Sequence, residues 1–458
     1  MSGPPESRFF LPLRRMRGSG LPTPSPRTPV AAENFAGITS AGYRPVASPL
    51  GPKLTKAVAD ASQSDARQGR ESAPRRSPIE GTTDGRASQP LLTFTRLAIR
   101  DLLHRRASPA SPEDRLLAAE QWLCRAQDAT PDGGISYGYS IRGGWRPSYP
   151  ETSGYIATTF LRLARDRDPA YAERAQRVLA WLLRIQNEDG SFGNPRFGPA
   201  GIVFDTGQVL FGLVRGYEAT HDQGLLASAR RAADWLTAVA DASDLRWSRH
   251  EYLDTPHVYN TRTAWALLLM NRIDPEPGRE AVARSNLDWA LAEQQPTGYF
   301  EHCAFRRGEA PYTHTIAYAT RGLLESGLLL DDDRYIEAAI RCADATYLQM
   351  REDGHLPSRV TTAGVPAGRS CCLTGNCQFA LVWARLHALL GDPAYRTGTL
   401  RALDYVMRTQ DVFASSPDVR GAIKGSHPVW GRYASMSFPN WATKFFVDAM
   451  WLRKTFSA

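Results

Sequence analysis

Cysteine is scarce: there are six in 458 residues, and two of them, Cys371 and Cys372, are adjacent. So sparse a set makes no disulfide framework, which points to a reducing compartment and, by default, the cytoplasm. Long apolar runs are missing too. No stretch reaches the roughly 18 apolar residues of a membrane span, and no apolar core of about 7–15 residues follows the N-terminal charges, so neither a transmembrane segment nor export is expected. A basic binding face is also lacking, although the net charge of +8 first suggests one. Of the 55 Lys and Arg and 47 Asp and Glu, residues 1–112 hold 17 and 8, leaving 38 and 39 for the rest. The surplus belongs to the N-terminal stretch, so a nucleic-acid partner is not expected.

Three segments follow from composition and periodicity. Residues 1–88 are rich in Pro, Ser, Arg and Gly without apolar periodicity and read as a disordered basic tail. Residues 89–111 form a lead-in helix and linker, with Leu91, Leu92, Phe94, Leu97, Ala98, Leu102 and Leu103 at helical spacing and Arg96, Arg100, Arg105 and Arg106 on the other side. The remainder, 112–458, is built on a repeat.

That repeat opens with Tyr149-Pro150-Glu151-Thr152-Ser153-Gly154-Tyr155. Degenerate copies return at Phe204 to Gln208, Tyr259 to Thr263, Thr313 to Ala317, Leu373 to Cys377 and Pro439 to Thr443. From Glu151 to Asp205, Asn260, His314, Leu373 and Asn440 the steps are 54, 55, 54, 59 and 67 residues. A second series keeps the same beat: Trp122, Trp181, Trp235, Trp289, Tyr347 and Tyr405 recur on helical stretches near 113–127, 169–187, 225–241, 278–295, 333–351 and 393–410. Asp168-Pro169 and Asp392-Pro393 start two of them as N-cap and N1, and Asp331 to Asp333 caps another. Each unit is therefore an outer helix, a loop rich in Gly and aromatics, and an almost wholly apolar inner helix. Six such hairpins predict an all-α (α/α)6 toroid.

In such a ring the inner helices are parallel, so the opening motifs gather at one mouth, where helix N-termini favour carboxylates and hydroxyls. This delivers Glu151, Asp205, Asn260, His314 and Asn440, with Arg262 and Lys444 deeper. The preceding loops add Trp145, Tyr149, Asp254, His257, Tyr259, Glu301, His302, Tyr312, Arg369, Lys424, His427, Trp430 and Tyr433. Aromatics mixed with acids and amides suit sugars, which stack by their C–H faces and hydrogen-bond by their edges. Cleaving a glycosidic bond needs two carboxyls, and Glu151, Asp205, Asp254 and Glu301 are the candidates. Abstracting a proton from C5 of a uronic acid would instead draw on His314 or Tyr312 as base, with Arg262 and Asn260 neutralising the carboxylate. Simple N-capping is the competing explanation for Asp205 and Asn260. It fits Glu151 less well, because Thr152 and Ser153 could cap equally well.

Ile185 to Phe192, with Gln186, Gly190 and Phe192, resembles the Gln and aromatic repeat of the terpene cyclase and prenyltransferase toroids, where it tightens the turn after an outer helix; Gln127 to Gly134 and Gln294 to Phe300 are weaker copies. Cys371, Cys372, Cys377, His302 and Cys303 invite comparison with the zinc toroids of lanthionine cyclases, but that family's Cys-His pair and Gly-rich His motif are missing, so no metal is expected. Over 112–455 the repeats resemble six-hairpin proteins encoded with bacterial polysaccharide biosynthesis systems, on Tyr149 to Tyr155, Thr313 to Tyr318 and Phe438 to Phe446. The resemblance implies work on an oligo- or polysaccharide, free or lipid-linked, in exopolysaccharide production, and brings no catalytic assignment. The expectation is a glycoside hydrolase with catalytic residues among Glu151, Asp205, Glu301 and His314, no cofactor, and uronyl C5-epimerase, lyase or glycan-binding factor as alternatives.

Overall fold

The computed structural model describes residues 88–102 and 109–456, so the expected tail at 1–88 lies outside the described residues but for Ser88. Helix α1 (Ser88–Leu102) leads in. Six hairpins follow, each an outer helix and then an inner one. The outer helices are α2 (Pro112–Asp128), α4 (Tyr171–Ile185), α6 (Gln223–Ala238), α8 (Pro277–Ala292), α10 (Asp333–Leu348) and α12 (Pro393–Thr409). The inner helices are α3 (Pro150–Asp166), α5 (Val203–Thr220), α7 (Thr261–Ile273), α9 (Thr313–Leu330), α11 (Leu373–Leu390) and α13 (Asn440–Lys454). Each inner helix packs on the next and the sixth returns to the first, so the ring closes as an (α/α)6 toroid.

Local chemistry explains the starts. Ser111 and Asp114 form a reciprocal capping box on α2, while Asp222, Asp332 and Asp392 cap α6, α10 and α12 through their carboxylates. At α4 the helix begins later than expected, at Tyr171, and Asp168 instead bonds the N–H of Ala170 in a preceding turn. None of the six inner helices has a side-chain cap. Their opening polar residues are left for other work.

Small residues let the inner helices approach. A Cβ on Gly154 would stand against the backbone of Val209, and one on Gly212 would stand 2.5 Å from the carbonyl of Gly154. The Gln and aromatic turns act as staples between units. The amide of Gln186 donates to Gly190 (2.8 Å) within its turn and to Ser228 (3.0 Å) on the next outer helix, and Gln294 repeats this with Gly298 and Ala338. Gln410, which the sequence did not single out, bonds Gly421 and then Arg115, tying the sixth hairpin to the first.

Short strands frame the mouth. β1 (Gly138–Ser140) pairs antiparallel with β2 (Gly144–Trp145) and with β7 (Ser437–Pro439). The strands β3 (Gly193–Asn194) and β4 (Gly198–Gly201) make a second hairpin, and β5 (Cys371–Cys372) pairs with β6 (Ser426–His427).

Candidate active site

The site begins with one amide. Asn194, on β3 and buried, donates one amide hydrogen to the hydroxyl of Tyr149 (2.7 Å) and the other to Asp205 Oδ2 (2.8 Å). Asp205 lies in the first turn of α5, which Ile202 begins without a side-chain cap, so capping does not explain this carboxylate. Tyr149, just before α3, also reaches Glu151, and its hydroxyl serves both carboxyls. Two acids, one phenol and one amide thus form a single network.

Burial dominates its electrostatics. Removal from water pushes Glu151 up to about 7, offset in part by Tyr149, the Arg262 charge and Tyr155. Asp205 rises well above the usual carboxylate range, first by burial and then by the neighbouring Glu151. The two differ in access. Asp205 is 1% exposed, whereas part of Glu151 still meets solvent at the mouth. Both acids lie within reach of one Tyr149 hydroxyl, Glu151 the more exposed of the two.

Around them runs a closed girdle of rings. Tyr137 meets Trp441 edge-on (4.6 Å), and Trp441 donates to the hydroxyl of Tyr433 (2.7 Å). Tyr433 lies 4.3 Å from the ring of His314, which neighbours Phe305 (5.5 Å); Phe305 meets Tyr252 (5.4 Å), and Tyr252 meets Phe197 (5.2 Å). The Arg196 guanidinium, 5.9 Å from both Phe197 and Tyr137, closes the circuit. Tyr312 and Tyr259 thicken the wall beside His314 and Phe305.

Beneath the acids lies a polar floor. Arg262 is buried, bonds Gln208 Oε1 (2.6 Å) and is surrounded by Tyr155, Phe211, Trp265, Tyr318 and Phe445 within 6 Å. Burial lowers it to about 10. Gln208 Nε2 is buried without a protein partner, while Tyr155 reaches Glu151 and Tyr318, and Tyr318 reaches Gln378, so the chamber is lined by polar groups.

Other expected residues have different employment. Lys444 is paired with Asp448, which also binds Arg162 and Thr159. Asn440 ties Ser136 to Thr152 across the seam between the last and first inner helices, both at 2.8 Å. Asn260 holds the buried Glu251 (2.6 Å), an acid the sequence reading missed because it lies outside the opening motif. Trp145 packs on Trp122 and donates to Asp418. Lys424 and His427 surround Asp101 of α1. Asp254, Glu301, Arg369 and Trp430 stand exposed on the loops, away from the buried pair. Sequence reasoning also missed Asn194, Tyr137, Phe197, Tyr252 and Phe305; the Ser-Tyr-Gly-Tyr-Ser run at 136–140 was the one available signal, since a Gly between aromatics before an inner helix marks a mouth hairpin.

His314 is neutral, its pKa lowered by burial to about 3, and its Nδ1 lies 3.8 Å from Cys372 Sγ. Burial raises the Cys371, Cys372 and Cys377 thiols, so none is an activated nucleophile. Among the described residues no group of three or more His, Cys, Asp or Glu could hold a metal ion, and no helix is long and apolar enough to cross a membrane.

No family model and no curated protein matches the sequence. Solved structures do. An unsaturated glucuronyl hydrolase from Bacillus sp. GL1, described as responsible for the degradation of glycosaminoglycan, superposes with a TM-score of 0.60 at 15% identity, over 74% of this chain and 96% of its own. Cellobiose 2-epimerase from Bacillus thermoamylovorans gives 0.57 at 12% identity, over 78% and 99%. A glycosyl hydrolase of family 88 from Bacteroides vulgatus gives 0.56 at 12%, over 76% and 100%. These likenesses show the fold. They support the toroid that the repeat predicted, but not the likeness to terpene cyclases or the link to polysaccharide biosynthesis.

Proposed function

We propose that this protein is a carbohydrate-active enzyme, most specifically a hydrolase of a glycosidic bond, with Glu151 as the proton-transferring group. The observation that carries the reading is the linked pair: Glu151 at the mouth, raised to about 7, joined through Tyr149 and Asn194 to Asp205 behind it, whose pKa is pushed up by burial and by Glu151. Hydrolysis needs a group that is an acid when the bond breaks and a base when water arrives, and a carboxyl titrating near neutrality is suited to both. In the first step Glu151 passes its proton to the leaving oxygen as the bond from the anomeric carbon to that oxygen breaks. Water then adds to the anomeric carbon and its proton goes to the Glu151 carboxylate, restoring the acid. Tyr149, the Arg262 charge and Tyr155 stabilise the carboxylate formed in between.

The girdle supplies the apolar faces on which a sugar ring stacks, and the floor of Tyr155, Gln208, Arg262 and Gln378 supplies polar donors and acceptors for its hydroxyls. Hydrolases and an epimerase of saccharides among the structures that share the fold support the same class. Polysaccharide production as the setting, a lipid-linked substrate and a cytoplasmic location rest on the sequence reading alone.

A second reading has its own observation. His314, 4.3 Å from the Tyr433 ring and next to Tyr312, stands in the girdle where an epimerase or lyase would need a base for a proton on a sugar carbon, although burial makes its imidazole a weak one in the free site. One assay separates the two. Neutral saccharides, uronides and unsaturated uronides are incubated with wild type and Glu151→Gln, following reducing ends and the ultraviolet absorbance of the unsaturated uronyl group. Release of reducing ends, or loss of that absorbance, abolished in the variant, supports hydrolysis. Gain of absorbance, or isomerisation without release, that survives Glu151→Gln and dies with His314→Ala moves the chemistry to His314.

A further inference from the structure

Outside Tyr137 the mouth opens into a cleft of about 430 Å³, within the usual size of a small-molecule site. Its walls come from β1, the Arg146 to Tyr149 stretch, Pro195 and Arg196 of the second hairpin, and β7. Its charge is one-sided: Arg146 and Arg196 line it, and no Asp or Glu does. Acids lie behind its walls: Asp132 accepts from the lining Ser148 (2.7 Å), Asp418 lies behind Trp145, and Glu151 is on the far side of Tyr149. Neither guanidinium has a carboxylate partner among the described residues. Arg196 bonds only weakly to the Tyr137 hydroxyl, at 3.4 Å.

The cleft is built into the catalytic network. Asn194 Oδ1 accepts the backbone N–H of Arg196 at 3.0 Å, and the amide of the same Asn194 holds Asp205 and Tyr149. Likewise the backbone N–H of Arg146 is fixed on Gly138 (3.1 Å), at the foot of the β1 to β2 hairpin. Both arginines therefore project from anchored backbone. The Tyr137 ring stands between them and the acids, a stacking surface over which a saccharide chain would pass from one compartment to the other.

We propose that this cleft is a second sugar subsite, taking a saccharide unit that bears a carboxylate or sulfate through Arg146 and Arg196. The proposal rests on the reading of the mouth as a saccharide site and makes the substrate an acidic glycan whose charged unit lies outward of the bond cleaved. Guanidinium groups recognise carboxylate and sulfate oxygens through paired N–H donors, and an aromatic face beside them takes the sugar's C–H side.

Binding tests this separately from catalysis. Calorimetric titrations use the Glu151→Gln protein with tetrasaccharides of galacturonate, hyaluronan and chondroitin sulfate, beside cellotetraose as the neutral control. At least one acidic tetrasaccharide should bind more tightly than cellotetraose, and less tightly as salt is added. Adding Arg146→Ala or Arg196→Ala should weaken the acidic ligand by roughly tenfold each and leave the thermal midpoint within a degree or so, and Arg146→Ala, which lies outside the girdle, should leave cellotetraose affinity as it was. Lysine at either position should restore part of the affinity. If every acidic tetrasaccharide binds no better than the neutral one, or the arginine variants bind like their parent, the subsite is refuted. Arginine-dependent binding in a protein whose wild type hydrolyses nothing would uphold the subsite and refute the hydrolase reading.

Discussion

At the scale of single residues the account turns on the Glu151 proton. Because burial raises this carboxyl from 4.5 to about 7, the acid form survives to neutrality, and kcat/KM should fall as pH rises through about 7. A pH-rate profile flat across that range would remove Glu151 from the proton transfer. The same shift affects stability. The folded state holds the proton more tightly than the unfolded chain, so stability from this group is present below 4.5 and lost as pH rises through about 7, on the order of 3 kcal/mol in all. Glu151→Gln should therefore be catalytically dead, by about a thousandfold or more, yet raise the thermal midpoint above neutral pH and not below pH 4.5. Burial and the neighbouring Glu151 favour the neutral form of Asp205, which an amide resembles in shape and charge, so Asp205→Asn should cost much less, roughly tenfold in kcat.

At the scale of elements, α1 is fastened by a buried ion cluster. Asp101 meets Lys424 Nζ at 2.5 Å and accepts the N–H of Val429 at 2.8 Å. Burial alone would raise Asp101, but His427 and Lys424 hold it at about 2. Asp101→Ala leaves a buried ammonium unpaired, and the expected loss is about 3–5 kcal/mol by denaturant titration. The segment that Lys424 anchors also carries Tyr433 of the girdle, so near-ultraviolet circular dichroism should change in the same variant. At the α3 to α5 contact, Gly154→Ala should cost about 1–3 kcal/mol or more, because backbone atoms of Val209 and Gln208 occupy the space. Elements were also what the sequence showed best. The outer and inner helices follow from apolar periodicity and a beat near 54 residues carried through six units, several outer starts from their Ser or Asp caps, and three of the Gln staples from their own local motif.

At the scale of the whole molecule, ring closure brings residues far apart in sequence to one mouth, and there the sequence was less informative. Glu151 and Asp205 were visible because they open inner helices in register. Asn194, which joins them, lies in an irregular loop, and the girdle draws Tyr137, Phe197, Tyr252, Phe305 and Tyr433 from five separate loops whose meeting depends on closure. Lys444 and Asn440 had the right position but were engaged by Asp448 and by Thr152, partners that only the folded ring supplies. The most direct test of the central claim is the initial rate of saccharide hydrolysis by wild type and Glu151→Gln, measured side by side on the best substrate of the panel with circular dichroism as the control for folding. A rate lost by about a thousandfold in a fully folded variant is the predicted result; a variant that hydrolyses at the wild-type rate would contradict the account.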